Sequence, residues 1–94
     1  MQWTASALAD RLDGRVIGDP SVTVTRVAPA ETADQESITF AETQSFFEVA
    51  TRSPAAIILT AAGQASGSKT LIEVSEPRIA FAKLLALFDR EPAR

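Results

Sequence analysis

The sequence predicts a single α/β domain, in which a small mixed β-sheet is flanked by helices. Its 94 residues are enough for one core and one domain. Hydrophobic residues make up 46% of the chain and charged residues 22%, values close to the globular average. The chain predicts three helices interspersed with five strands, and the apolar run at residues 55–59 lacks the polar–apolar alternation of a half-exposed strand.

The first part of the chain predicts one helix and two strands. Thr4 can cap a helix over residues 5–12, and Gly14 stands where a left-handed residue would close it. A short strand is expected over residues 15–17, and turn-forming residues 18–21 lead into a second strand over residues 22–27. Alternation in this second strand indicates one buried face, with an irregularity expected near its end.

The middle of the chain predicts a loop, a strand, a helix and a central strand. Residues 28–36 are polar and predict a surface loop before a strand over residues 37–40. A short helix over residues 44–51 is expected to end at Ser53, because a residue that precedes proline avoids helical angles. The run 55–59 then predicts a strand that helices cover on both faces.

The last part predicts a small-residue loop over residues 61–68, a strand over residues 69–74 and a final helix opened by Pro77. This helix is apolar on nearly every side as far as residue 88, interrupted only by Lys83. It therefore needs packing partners on more sides than a surface helix does. Either it is central to the core, or one of its faces meets another domain or subunit. Residues 89–94 predict a linker or terminus.

Composition excludes several classes of function. The net charge is −3 and the nine basic residues are scattered singly, which argues against nucleic-acid binding. Cysteine and histidine are both absent, which removes thiolate chemistry, the commonest general base and the commonest metal ligand. We expect no metal, no cofactor and no catalytic residue. No apolar run approaches the ~18 residues that cross a bilayer and no secretory signal is evident, so we expect no transmembrane segment and a cytoplasmic location.

Two groups of side chains are candidates for chemistry. The acids Glu31, Asp34 and Glu36 lie in a polar loop with no basic or histidine partner, so a solvated loop is the preferred interpretation. Phe40 and Phe46 flank a polar segment between a strand and a helix. Aromatic side chains in such positions either pack in the core or sandwich a planar ligand, and the sequence leaves both interpretations open.

Four short segments, taken in their order along the chain, resemble those of a known protein family. They are VAPAE at residues 27–31, SITFA at 37–41, AAIIL at 55–59 and EPRIAFAKLLALF at 76–88. Together they resemble the amino-terminal domain of the UDP-3-O-(3-hydroxyacyl)glucosamine N-acyltransferases of lipid A biosynthesis. The likeness covers nearly the whole chain and is strongest in the last segment. It implies a place in bacterial lipopolysaccharide synthesis.

The resemblance implies a domain organisation and a set of partners. Residues 1–89 would form a uridine-binding-like domain, and residues 90–94 a linker or C-terminal tail. In that family this domain recognises the sugar nucleotide UDP-acylglucosamine. The catalytic histidine lies in a following trimeric β-helix domain, and acyl carrier protein is the other partner. The fold is expected to be similar to the first domain of the Mur ligases.

The resemblance also implies a uracil site at Phe40, Thr43 and Phe46. In the family a phenylalanine and a tyrosine hold the base, and an asparagine hydrogen-bonds it. Phe40 matches the first aromatic residue, while Phe46 replaces the tyrosine, Thr43 the asparagine and Gln44 a proline. We expect stacking to persist, whereas a hydroxyl cannot offer the paired donor and acceptor of an amide.

The expected function is therefore substrate recognition for a lipid A N-acyltransferase, by a chain that lacks the catalytic domain. Two alternatives stay open. One is a free-standing protein-interaction module of the same fold, which uses its apolar final helix to hold a partner. The other is the first domain of a Mur-type ligase, which would be followed by a P-loop ATPase domain.

Overall fold

The computed structural model describes residues 2–41, 43–61 and 69–88. Within them the elements in chain order are β1 (Trp3–Thr4), α1 (Ala5–Leu12), β2 (Arg15–Ile17), β3 (Thr23–Val24), β4 (Arg26–Val27), β5 (Ser37–Ala41), α2 (Gln44–Arg52), β6 (Ile57–Ala61), β7 (Thr70–Val74) and α3 (Pro77–Phe88). The predicted α/β class with a small mixed sheet is confirmed. Its likeness to the first domain of Mur ligases stays a prediction.

The main sheet has five strands in the order β2-β7-β6-β5-β4. Strands β4, β5, β6 and β7 run parallel to one another, and β2 pairs antiparallel with β7, so the sheet is mixed. Helix α2 forms the crossover between the parallel strands β5 and β6, the usual solution for joining parallel neighbours. A separate two-stranded sheet pairs β1 with β3.

Helices pack on both faces of the main sheet, and β6 lies between them. Ile57 and Leu59 belong to one buried cluster, which also contains residues of α1 and α3. Ile58, which points to the opposite face, belongs to a second cluster with Phe47 and Ala50 of α2. The predicted central strand with cover on both faces is thus confirmed, although it begins at Ile57 rather than at residue 55.

The end of α1 differs from the prediction. Thr4 caps the helix as expected, with its side-chain oxygen accepting a hydrogen bond from the Ala7 N–H at 3.1 Å. The left-handed residue, however, is Asp13 with φ 56°, so the assignment of that role to Gly14 is wrong. Gly14 is required for space, because a Cβ there would lie 2.8 Å from Val74 Cγ1 and 2.9 Å from the Glu73 carbonyl oxygen.

The single strand predicted over residues 22–27 is two strands. It divides at Thr25, so that β3 pairs with Trp3–Thr4 while β4 joins the main sheet. The N–H groups of Thr25 and Arg26 both donate to the Glu36 carbonyl oxygen, at 2.8 and 3.3 Å, and this shared acceptor marks the irregularity. The short strand β1 was not predicted, because two residues are too few to show the alternation of apolar and polar side chains that indicates a strand.

The connections follow the prediction where the structure describes them. Residues 28–36 lie between β4 and β5 without strand or helix, as expected. In the turn at residues 18–21, the Ser21 hydroxyl and the Ser21 backbone N–H both donate hydrogen bonds to the Asp19 carboxylate. These hydrogen bonds, the one from the hydroxyl most, favour the ionised carboxylate and lower the pKa of Asp19. Of the predicted loop 61–68, Ala61 is the last residue of β6, and residues 62–68 lie outside the described residues, as does the tail 89–94.

Helix α3 is buried along one stripe only. Ala80 and Leu84 are buried, whereas Ile79 is 55% and Leu85 44% exposed. Ala82 and Ala86 are exposed as well, and with Ile79 and Leu85 they form what we call the outer side of α3. The expectation that this helix needs further cover therefore stands, since the fold itself covers one side of it. Among the described helices, none has both the length and the hydropathy that crossing a bilayer requires.

The adjacent leucines of α3 provide a direct test of its orientation. Leu84→Ala should lower the free energy of unfolding by about 2 to 5 kcal/mol, because it leaves a cavity in the main cluster. Leu85→Ala should change it by less than about 1 kcal/mol, because that side chain is partly in solvent. Urea titration followed by circular dichroism measures both. Equal losses would contradict the orientation described here.

Gly14 tests the close approach of α1 to β7. Gly14→Ala should destabilise the domain by about 1 to 3 kcal/mol, because the added methyl meets the backbone of Glu73. Asp13→Gly is the matched control and should stay within about 0.5 kcal/mol of the parent, because glycine accepts the left-handed conformation. The prediction fails if the alanine variant is as stable as the parent protein.

Candidate functional site

The candidate site lies at the edge of the main sheet where β4 ends before β5 does. Strand β4 pairs with β5 only as far as Val27 and Ile38, and the Ala28 N–H donates to the Ile38 carbonyl oxygen at 3.2 Å. Residues 39–41 of β5 therefore extend past the end of their neighbour. Phe40 lies on this extension and is half-buried.

Phe40 is held in place by an aromatic partner from α3. Its ring stacks on Phe81 with the centroids 4.6 Å apart and an angle of 13° between the planes. Both side chains also pack against the main buried cluster. An offset stack of this kind adds about 0.5 to 1.5 kcal/mol beyond the area that it buries, so Phe40 presents a fixed surface to its other neighbours.

Thr43 positions the helix that carries Phe46. It is the N-cap of α2, and its hydroxyl oxygen accepts a hydrogen bond from the Phe46 N–H at 3.3 Å. The Thr43 carbonyl oxygen accepts a second one from the Phe47 N–H at 2.9 Å. The threonine thus has a capping role that its place in the resemblance did not indicate, and its hydroxyl hydrogen remains a donor.

Helix α2 turns one phenylalanine inward and the other outward. Phe47 is buried beside Ala50 in the second cluster, whereas Phe46 is 60% exposed. Val49, one helical turn after Phe46, is 46% exposed. The alternative that Phe46 is core packing is therefore wrong, while Phe40 contributes to both the core and the surface.

Phe40 and Phe46 line one cavity of about 380 Å³. The loop after β4 supplies one wall, β5 the corner and α2 the other wall; the described lining residues are Pro29, Ala30, Glu31, Phe40, Phe46 and Val49. Thr43 stands at the start of the same helix, one turn before Phe46. The structure thus brings together the two aromatic residues that the sequence singled out, and it places Thr43 beside them as a cap.

Sequence reasoning did not assign the other four lining residues, Pro29, Ala30, Glu31 and Val49, to the site. Val49 follows Phe46 by three positions, so helical spacing could have identified it as a neighbour on the same side of α2. Glu31 was interpreted as part of a solvated loop, and no local pattern connects it with a helix thirteen or more residues later. Its position depends on how the loop between β4 and β5 folds back.

The three loop acids have different surroundings. Asp34 forms an ion pair with Arg26, and its carboxylate accepts hydrogen bonds from the Ser37 hydroxyl at 3.0 Å and the Glu36 N–H at 2.9 Å. The expectation that these acids have no basic partner is therefore wrong, because Arg26 reaches the loop from β4. Glu36 accepts a hydrogen bond from the Thr25 hydroxyl at 3.1 Å. Glu31 is exposed, and no described residue donates to its carboxylate.

These acids do not form a metal site. Across residues 2–41, 43–61 and 69–88, no three carboxylate side chains converge in the way that a metal ion requires. The cavity also carries no cationic side chain among its described lining residues. Its chemistry is that of an apolar slot with aromatic walls and a single carboxylate.

The comparison with protein families gives one match. The model of the UDP-3-O-(3-hydroxymyristoyl) glucosamine N-acyltransferase family, LpxD, matches residues 21–87. This span contains all of the candidate site.

Several UDP-3-O-acylglucosamine N-acyltransferases are similar to the chain. That of Saccharophagus degradans is 32% identical over 91 residues, which are 94% of this chain and 26% of that protein. That of Syntrophotalea carbinolica is 34% identical over 91 residues, 96% of this chain and 26% of that protein. UDP-3-O-acylglucosamine N-acyltransferase 1 of Legionella pneumophila is 36% identical over 81 residues, 86% of this chain and 23% of that protein.

The chain spans about a quarter of the length of these relatives. The family match covers more than half of the chain and agrees with the resemblance that the four ordered segments carry. The chain therefore belongs to the UDP-3-O-(3-hydroxymyristoyl) glucosamine N-acyltransferase (LpxD) family.

Proposed function

We propose that this chain is the substrate-recognition domain of a lipid A N-acyltransferase and that it binds the uridine part of UDP-acylglucosamine. The observation that carries the proposal is the pair Phe40 and Phe46, which come from a strand and a helix and open onto one cavity. Phe46 is 60% exposed, and together with Val49, which is 46% exposed, it leaves an apolar surface open to solvent at the wall of the cavity. A planar base between two rings would explain it.

The chemistry of the cavity suits a base better than a phosphate. Its aromatic and aliphatic walls offer stacking surface, at about 1 to 3 kcal/mol per base. The described lining residues carry no cation to neutralise a diphosphate. We therefore place the base inside the cavity and the diphosphate outside it.

The domain contributes binding energy and no reacting group. The chain contains neither histidine nor cysteine, and the chemistry of acyl transfer belongs in this proposal to the remaining three quarters of a full-length relative. The trimeric β-helix domain and the acyl carrier protein are its proposed partners. The division into residues 1–89 and a linker at 90–94, and the cytoplasmic setting, are part of the same proposal.

A second candidate function is a free-standing interaction module. The observation that favours it is the outer side of α3, where Ile79 is 55% and Leu85 44% exposed. In this alternative the uracil site no longer binds the base, because Thr43 and Phe46 replace the usual asparagine and tyrosine, and α3 binds a protein partner. For the isolated chain, the predicted occupant is the same helix of a second copy.

Titration with UMP and with UDP-N-acetylglucosamine tests the leading proposal. We expect both ligands to shift the backbone amide resonances of residues 40 and 46 at millimolar concentration. Phe46→Ala should weaken UMP binding roughly 5- to 100-fold, because one stacking partner is lost. Ile79→Ala is the matched control, since it removes a similarly exposed apolar side chain from a different helix and should leave UMP binding unchanged.

Absence of any shift near Phe40 and Phe46 at millimolar ligand would overturn the binding claim. Equal weakening by the two variants would show that the cavity is not the site.

Sedimentation equilibrium tests the second candidate. If α3 is an interaction surface, the chain should associate at concentrations of hundreds of micromolar, and the double variant Ile79→Ser, Leu85→Ser should abolish the association. Val49→Ser is the matched control, because Val49 is as exposed as Leu85 but lies on α2. A wild-type chain that stays strictly monomeric would count against this candidate.

A further inference from the structure

Strand β4 forms one end of the main sheet, and its outer edge pairs with no described strand. The N–H groups of Arg26 and Ala28 donate to β5, at the carbonyl oxygens of Glu36 and Ile38. Successive residues of a strand direct their backbone groups to opposite sides, so the N–H and C=O of Val27 point away from β5. No described residue forms a hydrogen bond with either group. The edge therefore presents one free donor and one free acceptor, side by side.

A groove lies between this edge and the end of α3. It has a volume of about 550 Å³, and its described lining residues are Thr25, Arg26, Val27, Leu85, Ala86 and Phe88. Ala86 is exposed, Leu85 is 44% exposed and Phe88 is half-buried. Helix α3 contacts β4 and covers the face of the sheet that it shares with α1. Free backbone groups and a partly exposed apolar helix surface thus meet at one place.

The edge is too short to bind an extended peptide by its backbone alone. In one direction it stops at Pro29, which has no N–H. In the other direction the Thr25 N–H already donates to the Glu36 carbonyl oxygen at 2.8 Å. An added strand would gain only the two hydrogen bonds of Val27, so the rest of the contact has to come from α3. A fitting partner brings an apolar surface beside a short strand of its own.

A second copy of the chain meets this requirement. About a two-fold axis perpendicular to the sheet, two β4 strands pair antiparallel and the two Val27 residues exchange both hydrogen bonds. The same axis keeps both α3 helices on one face, where Leu85 and Phe88 of each copy meet the groove of the other.

The register of this arrangement also suits the charges. Arg26 lies opposite Ala28 of the second copy, so the two guanidinium groups are not directly opposed. We propose that two copies associate through the β4 edge and the end of α3, which joins their main sheets into one. This inference rests on the self-association that the second candidate function requires, and it names the residues that make the contact.

Hydrogen exchange of the Val27 amide tests the strand contact. In the 94-residue chain we expect this amide to exchange about threefold more slowly at about 1 mM than at about 20 μM, because it is hydrogen-bonded only in the dimer. The amides of Arg26 and Ala28 are the internal control, because their bonds to β5 exist in both states. A Val27 amide that exchanges at one rate at both concentrations would overturn the proposal.

Ala86→Lys and Ala82→Lys are a matched pair of variants. Both add an ammonium group to the exposed side of α3, but only Ala86 lines the groove, where Arg26 also lies. We expect Ala86→Lys to weaken the dimer about tenfold or more in sedimentation equilibrium, because like charges would be brought together at the two-fold axis. Ala82→Lys should change the dissociation constant of the dimer by less than about twofold.

The two variants also separate this inference from the function on which it rests. Equal weakening by both would assign the contact to the whole outer side of α3, which overturns the proposed dimer and leaves the second candidate function intact. A wild-type chain that stays monomeric at about 1 mM would overturn both.

Discussion

Burial of β6 on both faces is the constraint on which the other layers depend. Ile57, Ile58 and Leu59 are fully buried, and each contributes about 1.5 to 3 kcal/mol only if apolar elements cover it. Residues 57 and 59 point to α1 and α3, and residue 58 points to α2. A chain this short supplies three described helices for two faces, so every helix is committed to covering this strand and its neighbours.

The cavity is a consequence of how these layers end. Helix α2 covers one face of the sheet and α3 the other, and β4, which is only two residues long, leaves residues 39–41 of β5 unpaired on that side. Where β4 stops, the corner at Phe40 is reached from both sides: Phe81 of α3 stacks on its ring, and Phe46 of α2 shares its cavity. Phe40 would therefore serve both stability and the proposed binding, which makes Phe46 the cleaner reporter of binding.

Sequence reasoning found the features whose cause is local. Helical spacing and a threonine predict α1 and its cap, and an unbroken apolar run predicts a strand between two layers. Features caused by distant contacts were not accessible. Gly14 is needed because β7, some sixty residues later, passes close to it, and residues 22–27 divide because Trp3–Thr4 and β5 compete for them. In the site, aromatic spacing indicated Phe40 and Phe46, whereas Glu31 reaches them only through the fold of a loop.

The replacements at positions 43 and 46 change how well the proposed site can discriminate between nucleotide bases. Phenylalanine at 46 keeps a stacking surface, which accepts any flat base. Threonine at 43 uses one lone pair of its hydroxyl to cap α2, and its single oxygen cannot present the side-by-side donor and acceptor that an amide would offer a base. Discrimination between bases weakens as a result, because a mismatched base leaves fewer buried polar groups unpaired. In the proposed function, such a domain would still serve acyl transfer, since binding energy gained far from the reacting group can position the sugar for chemistry elsewhere.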